Sequence, residues 1–432
     1  MELSMLSRKR PFFNGSEQEP PPYTKKGRVA LRTLLDRHPT DRLDGVRLNL
    51  CCRTGCGHSC APEACLNGGT KHPTDTEVFF ERLSSWADTE YSVDKVLQHL
   101  KFRPTEDDGL LGDSVNKKFV ELHRDFTEEC GAEDKQHSWA VIEKREEIVM
   151  YGPFYPNYNS GEHSEDIIIR QTQELLESDA ASEDWKVYVF TMNSPCLARN
   201  TDPCMLNLVR KAHEWWSVYG VKTHIGYVKC WGFKGTKENL FRDINYSQVD
   251  RIDQAEEHES YVKAAENPLC ENLFSAVKHL LRSVSFPPEN FEQGQDWKGF
   301  FKSMYDISPE DEKDIVAREV DAVVEAAQAL LSEESGRFEG FLDKGQAFVS
   351  GYTFSSHVSD GIRDQMRLTF RQCWREMAQD KYAEFIRERL TEDFNQCTVQ
   401  LFIKDVVNHT KQYLQIGKIR LLEDSGAPQV HP

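Results

Sequence analysis

The sequence predicts an α/β sheet covered by helices on both faces, followed by an all-helical C-terminal part. Three observations carry this. Ser138–Ile142 and Ile148–Tyr151 are two short apolar runs joined through the charged turn Glu143–Glu147, the pattern of a hairpin. Residues 164–230 then read helix, strand, helix, strand, and the strand at Trp185–Thr191 is apolar without interruption, as expected where both faces are covered. From Ser308 to Val407 the apolar residues recur at helical spacing with no strand pattern between them.

Taken in order, residues 1–45 are expected to form a disordered tail. It holds two basic clusters, Arg8-Lys9-Arg10 and Lys25-Lys26-Gly27-Arg28, which leave two readings open: nuclear import signals or a solvated charged tail. Pro20-Pro21-Pro22-Tyr23 has the Pro-Pro-x-Tyr form of a WW-domain ligand, in which the proline run pre-sets an extended helix. A WW-domain protein is thus one candidate partner, against a chance match. Residues 46–110 form a cysteine-containing and helical N-terminal region. Cys51, Cys52, Cys56, His58, Cys60 and Cys65 suit a second zinc site by density, but no paired Cys-x-x-Cys is present, so disulfides or plain thiols stay open. Val78, Phe79, Phe80, Leu83 and Trp86, then Val93, Val96, Leu97 and Leu100, recur at helical spacing.

The central domain is expected at 111–284. A helix capped at Asp113-Ser114 presents Val115, Phe119, Leu122 and Phe126 on one face. After the hairpin, a loop containing Phe154, Tyr155 and Tyr158 leads into a helix from Ser164. Cys204–Tyr219 is the next helix, and Val221–Cys230 the next strand. A loop rich in prolines, 285–299, is expected to separate a helical domain at 300–425. There, Ser308-Pro309-Glu310 reads as a helix start and long apolar patterns run from Ile362 and from Val399.

Charge and hydropathy narrow the function classes. The net charge of −18 excludes a protein that coats duplex nucleic acid, though it leaves room for a local basic groove. No run of apolar residues is long enough for a membrane span. Met1–Arg10 has no apolar stretch of the kind a secretory signal needs. A cytoplasmic location is therefore expected, extending to the nucleus if the basic clusters act as import signals. Asn14, Asn245 and Asn408 lie in glycosylation sequons, which have no meaning in the cytosol.

The chemistry concentrates in two short stretches. His163-Ser164-Glu165 opens the first helix after the hairpin, and Pro195-Cys196 follows the strand, with Pro203-Cys204 beyond it. His-x-Glu, then Pro-Cys, then a further cysteine is the order found in zinc-activated nucleobase deaminases. One imidazole and two thiolates give Zn2+ three protein ligands and leave a fourth position for water. The glutamate is not a ligand; it moves protons from that water to the ring nitrogen and to the departing ammonia. The metal ligands are thus expected to be His163, Cys196 and Cys204, with Glu165 catalytic. Twenty-nine residues separate Glu165 from Pro195, enough for one helix, a turn and one strand. Seven residues, Leu197–Pro203, separate the two cysteines, where such enzymes usually have two. Pro203 at the first helical position would start the helix at Cys204.

With hairpin, helix, strand, helix, strand in this order and ligands at both helix starts, the chain resembles the AID/APOBEC-like branch of the cytidine-deaminase superfamily. The resemblance covers roughly Ser114 to Arg251, about a third of the chain. It is nearer to the divergent deaminases of non-mammalian vertebrates and their bacterial toxin relatives, because Asn193-Ser194-Pro195-Cys196 has Asn where the family usually has Trp. The resemblance implies hydrolysis of cytosine to uracil in single-stranded DNA or RNA. It implies that the loop after the last strand reads the neighbouring base, which makes Trp231, Phe233 and Lys234 substrate-binding candidates beside Tyr155 and Asn193. Aromatics with a lysine suit stacking and phosphate attraction; the other reading of this loop is aromatics docked on the core. Two alternatives remain at this stage: a free-nucleoside deaminase, which suits the acidic charge, and a catalytically inactive interaction protein built on the deaminase fold. The sheet's fifth strand has no clear position; Gln248–Ile252 is the weak candidate.

Overall fold

The computed structural model describes residues 75–87, 89–100, 109–130, 135–145, 147–178, 184–233, 240–284, 297–307, 310, 312–331 and 338–421. The basic clusters, Pro20–Tyr23, the Cys51–Cys65 group and Lys234 lie outside them. At the centre is a five-stranded sheet in the order β2-β1-β3-β4-β5. Strands β1 (Ser138–Glu143) and β2 (Ile148–Phe154) are the expected antiparallel hairpin. Its register slips between Ser138 and Ala140. There Gly152 takes φ 117° and lies so close to β1 that a Cβ would be 2.9 Å from that of Trp139, which only glycine allows. Strand β3 (Lys186–Asn193) pairs antiparallel with β1 and parallel with β4 (Lys222–Lys229).

Both faces are buried, as the unbroken apolar strands require. Trp139, Val141, Tyr188 and Phe190 point to one side. They meet Phe119, Leu122 and Phe126 of α3 (Asp113–Cys130), which follows α1 (Asp75–Ser84) and α2 (Thr89–Leu100). Ala140, Ile142, Val187, Val189 and Ile225 point to the other side, where α4 (Ser164–Ser178) and α5 (Cys204–Tyr219) pack.

The fifth strand is β5 (Leu414–Lys418), which pairs parallel with β4 from Thr223↔Leu414 to Tyr227↔Lys418. Gln248–Ile252 is helical instead, inside α6 (Tyr246–Gln254). Asn245 and Gln248 form a capping box at its start, which fixes helix over strand. Between β4 and β5 run α6, α7 (His258–Ala264), α8 (Glu271–Ser283), α9 (Lys313–Ala327), α10 (Phe338–Gly351) and α11 (Asp360–Thr410). Helix α11 joins the two apolar patterns expected from Ile362 and Val399 into 51 residues, about 75 Å at 1.5 Å per residue. No glycine or proline interrupts Ile362–Thr410, so nothing stops the helix.

The helical segment is not a body apart from the sheet. The described residues from Asp75 to Leu421 form one compact unit, and a single apolar core runs from Val189 and Ile225 of the sheet to Phe370 and Phe402 of α11. The boundary expected between 284 and 300 does not divide it, because the chain returns from α11 to complete the sheet. Helices α1 and α2 also belong to this unit rather than to an N-terminal region spanning 46–110. Lys95 of α2 lies 2.7 Å from Asp405 of α11, which also accepts the Trp86 indole N–H at 2.9 Å. No helix among the described residues is long and apolar enough to cross a membrane.

Candidate active site

The pocket forms where α4 and α5 begin, at the C-terminal end of β3. His163 immediately precedes α4, and its backbone N–H donates to the Asp166 carboxylate at 3.0 Å, a side-chain cap of the first turn. Cys196 follows β3. Cys204 is the first residue of α5, with Pro203 at the N-cap rather than at the first helical position. The Cys204 N–H donates to Cys196 Sγ at 3.4 Å and the Met205 N–H to the Cys196 carbonyl at 3.1 Å, which folds the seven-residue spacer back on itself.

Three ligand atoms converge as a result. His163 Nδ1 lies 3.6 Å from Cys196 Sγ and 3.3 Å from Cys204 Sγ, and all three atoms lie within 4.8 Å of one another. Zn–S bonds of about 2.3 Å and Zn–N bonds of about 2.0 Å at tetrahedral angles set a sulfur-to-nitrogen edge of about 3.5 Å. The donor set and its spacing fit a zinc ion with one position left open. The thiol of Cys196 is brought down to about 5, chiefly by hydrogen bonding from Cys204 against the opposing effect of burial, with His163 adding to the fall. The same contact raises Cys204 and, through Cys196, raises His163.

Glu165, in the first turn of α4, is 3% exposed and lines the same cavity as His163 and Cys196. Burial pushes its carboxyl up to about 7, against hydrogen bonds from the backbone and from the Ser164 hydroxyl at 3.1 Å. The cavity measures about 150 Å³ and is lined also by Gln136, Pro156, Tyr158, Ser164, Asn193, Ser194 and Trp231. It lies below the range of about 300–1,000 Å³ usual for drug-sized ligands and suits a single small ring.

The substrate-binding candidates divide. Asn193 and Trp231 line the cavity. Phe233 does not: it is fully buried and packs against Phe394 of α11, with ring centroids 6.2 Å apart. The loop does both things that its composition allows, one aromatic at the pocket and one in the core. Tyr155 is 44% exposed but is not part of the cavity wall; Tyr158, three residues on, takes that place.

Residues that sequence reasoning passed over explain how the loop is held. Gly232 adopts φ 54° and packs so tightly on α11 that a Cβ would lie 2.8 Å from the Asn395 carbonyl oxygen. Asn395 Oδ1 accepts the Phe233 N–H at 2.9 Å, and the Gly232 carbonyl accepts the Leu197 N–H at 3.2 Å. Ser194 Oγ accepts the Trp231 N–H at 2.9 Å. The helical segment therefore buttresses the wall carrying Trp231. Asn395 stands in the polar run Thr391-Glu392-Asp393-Phe394-Asn395-Gln396, and nothing there sets it apart from its neighbours. For Gln136, whose Oε1 accepts the Asn193 N–H at 3.1 Å, the sequence held no signal.

A family model described as Secreted Novel AID/APOBEC-like Deaminase 3 matches residues 45–416, which takes in the sheet, both ligand segments and the helical segment. No match exists among the curated proteins or among the solved structures. The family's description as secreted overturns the cytoplasmic or nuclear location expected from the composition of Met1–Arg10. The sequon asparagines Asn245 and Asn408 are both exposed.

Proposed function

Since the chain belongs to this family of secreted AID/APOBEC-like deaminases, we propose that it is a zinc-dependent hydrolase. On this reading it converts cytosine to uracil in single-stranded DNA or RNA, releasing ammonia. The observation that carries it is the convergence of His163, Cys196 and Cys204 beside a buried carboxyl that faces the same cavity. A structural zinc site would have no use for Glu165, whose burial is unfavourable without a task.

His163, Cys196 and Cys204 would hold the ion, which when bound supplies the Lewis acidity that makes water nucleophilic near neutral pH. Glu165, with a carboxyl at about 7, is matched to both halves of the proton traffic. Its carboxylate takes a proton from the attacking water and passes it to the ring nitrogen. It then delivers the second proton to the leaving amine, so that cytosine and water become uracil and ammonia. Ser164 steadies that carboxylate, and its own Oγ lies 2.7 Å from that of Ser138. Trp231 and Tyr158 offer aromatic faces at the mouth, and Asn193 and Gln136 offer amides to the base edge. A base must leave its stack to enter so narrow a cavity, which favours a single strand over a duplex.

The test presents single-stranded DNA, single-stranded RNA and free cytidine to the purified protein and to Glu165→Gln. Uracil and ammonia are expected from a polymer with the parent and from nothing with the variant, at equal zinc content. Release from cytidine alone would move the substrate to free nucleosides. No release from any of the three would end the enzyme reading.

A further inference from the structure

We propose that Arg199 is a positioning residue, forming with Asp166 a clamp that carries Cys204 to the metal across its long spacer. The inference rests on the zinc reading of His163, Cys196 and Cys204. In a Pro-Cys-x-x-Cys site, one turn of helix sets both sulfurs. Here the seven residues of Leu197–Pro203 intervene, so the helix cannot do it and something else must.

Arg199 is the one cation in that spacer, and its side chain is only 14% exposed. Its guanidinium engages four acceptors. Nη1 and Nη2 donate to the two oxygens of Asp166 at 2.7 and 3.0 Å, a two-pronged ion pair. Nε donates to the Asp202 carbonyl at 2.6 Å, closing the spacer into a compact loop. Nη1 also lies 3.5 Å from Cys204 Sγ. Asp166 in turn accepts the backbone N–H of His163. A continuous hydrogen-bonded path therefore joins the first ligand to the third: His163, Asp166, Arg199, Cys204.

Both ends of this path bear on the ion. Donation to a ligating sulfur fixes its direction and offsets its negative charge, and capping by Asp166 fixes where the chain turns to present the imidazole. Partners of this kind typically hold about 10–100-fold in metal affinity. Lysine is a poor substitute, because a single ammonium cannot reach Asp166, Asp202 and Cys204 together.

The experiment measures zinc affinity of the full chain by chelator competition and records the visible spectrum of its cobalt(II) form. Parent, Arg199→Lys, Arg199→Ala and Asp166→Asn are compared, each checked for folding by circular dichroism. Arg199→Ala and Arg199→Lys are expected to lose about 10–100-fold in zinc affinity. Their cobalt ligand-field and sulfur charge-transfer bands should shift, and Asp166→Asn should do the same more weakly. A clamp that serves folding alone would leave affinity within about twofold and the bands unmoved in any variant that folds, and this result overturns the proposal. So does full retention of affinity by Arg199→Lys, which would show that charge without the planar fork suffices. If the parent itself takes up no zinc at this site, it is the reading of the metal centre that fails.

Discussion

Replacing Asn395 by alanine tests whether the helical segment supports the pocket. Asn395 is 4% exposed and lies in the C-terminal half of α11, more than 160 residues from the Trp231–Phe233 loop it touches. The substitution takes from the buried Phe233 N–H its acceptor at 2.9 Å. Loss of a partner to a buried amide costs about 1–3 kcal/mol. The second bond lost, from Asn395 Nδ2 to the Thr391 carbonyl at 2.8 Å, matters less, since a carbonyl in a continuous helix keeps its backbone donor. The unfolding free energy measured in urea should therefore fall by about 1–3 kcal/mol. The functional signature is separate: with Gly232 and Phe233 released from α11, Trp231 loses its fixed place. KM for a single-stranded substrate should rise more than kcat falls, and zinc content should not change. Stability within about 0.5 kcal/mol of the parent, the range of an ordinary surface substitution, would refute the buttress.

Other outcomes follow from the same geometry. Gly417→Ala in β5 should destabilise more than Gly226→Ala in β4, judged by urea midpoints. The new Cβ at 417 would meet backbone atoms of 109–111 at 2.7–3.0 Å, whereas at 226 it meets the movable end of Ile419 first. His224 of β4 is stacked on Tyr188 of the neighbouring β3, and burial, helped by Lys186 and Lys222, lowers its pKa to about 4. Its folded form resists a proton that the unfolded chain accepts at about 6.5, so stability is full above that pH and is lost as pH falls towards 4. The gap amounts to about 3 kcal/mol, and His224→Gln should flatten the acid limb of the stability curve by that order. Secretion from a eukaryotic host should add glycosidase-sensitive mass that disappears in the triple variant Asn14→Gln, Asn245→Gln, Asn408→Gln.

Much of the sheet is visible in the residues themselves. Strands β1 to β4 are short apolar runs between strong helical patterns, and His163, Glu165, Cys196 and Cys204 announce themselves by order and by their places at element starts. What is hidden is hidden for physical reasons. Strand β5 has five residues, one of them glycine and one lysine, and its partner lies almost two hundred residues earlier, so no local pattern marks it. The proline-rich stretch before Gly299 reads as a boundary, yet the chain beyond it returns to the sheet, and only the three-dimensional core shows the two parts as one. Trp231 and Phe233 are alike to a reader of composition; the left-handed turn at Gly232 sends one to the cavity and the other into α11. Arg199 and Asp166 look like ordinary surface charges until the spacer is folded.

Zinc content is the most direct measure of whether His163, Cys196 and Cys204 hold the ion. Mass-spectrometric metal analysis of the purified chain and of His163→Ala, Cys196→Ala and Cys204→Ala should show each variant about one equivalent of zinc below the parent, whatever the Cys51–Cys65 group holds. Three variants with as much zinc as the parent would show that these side chains meet for some purpose other than holding the ion.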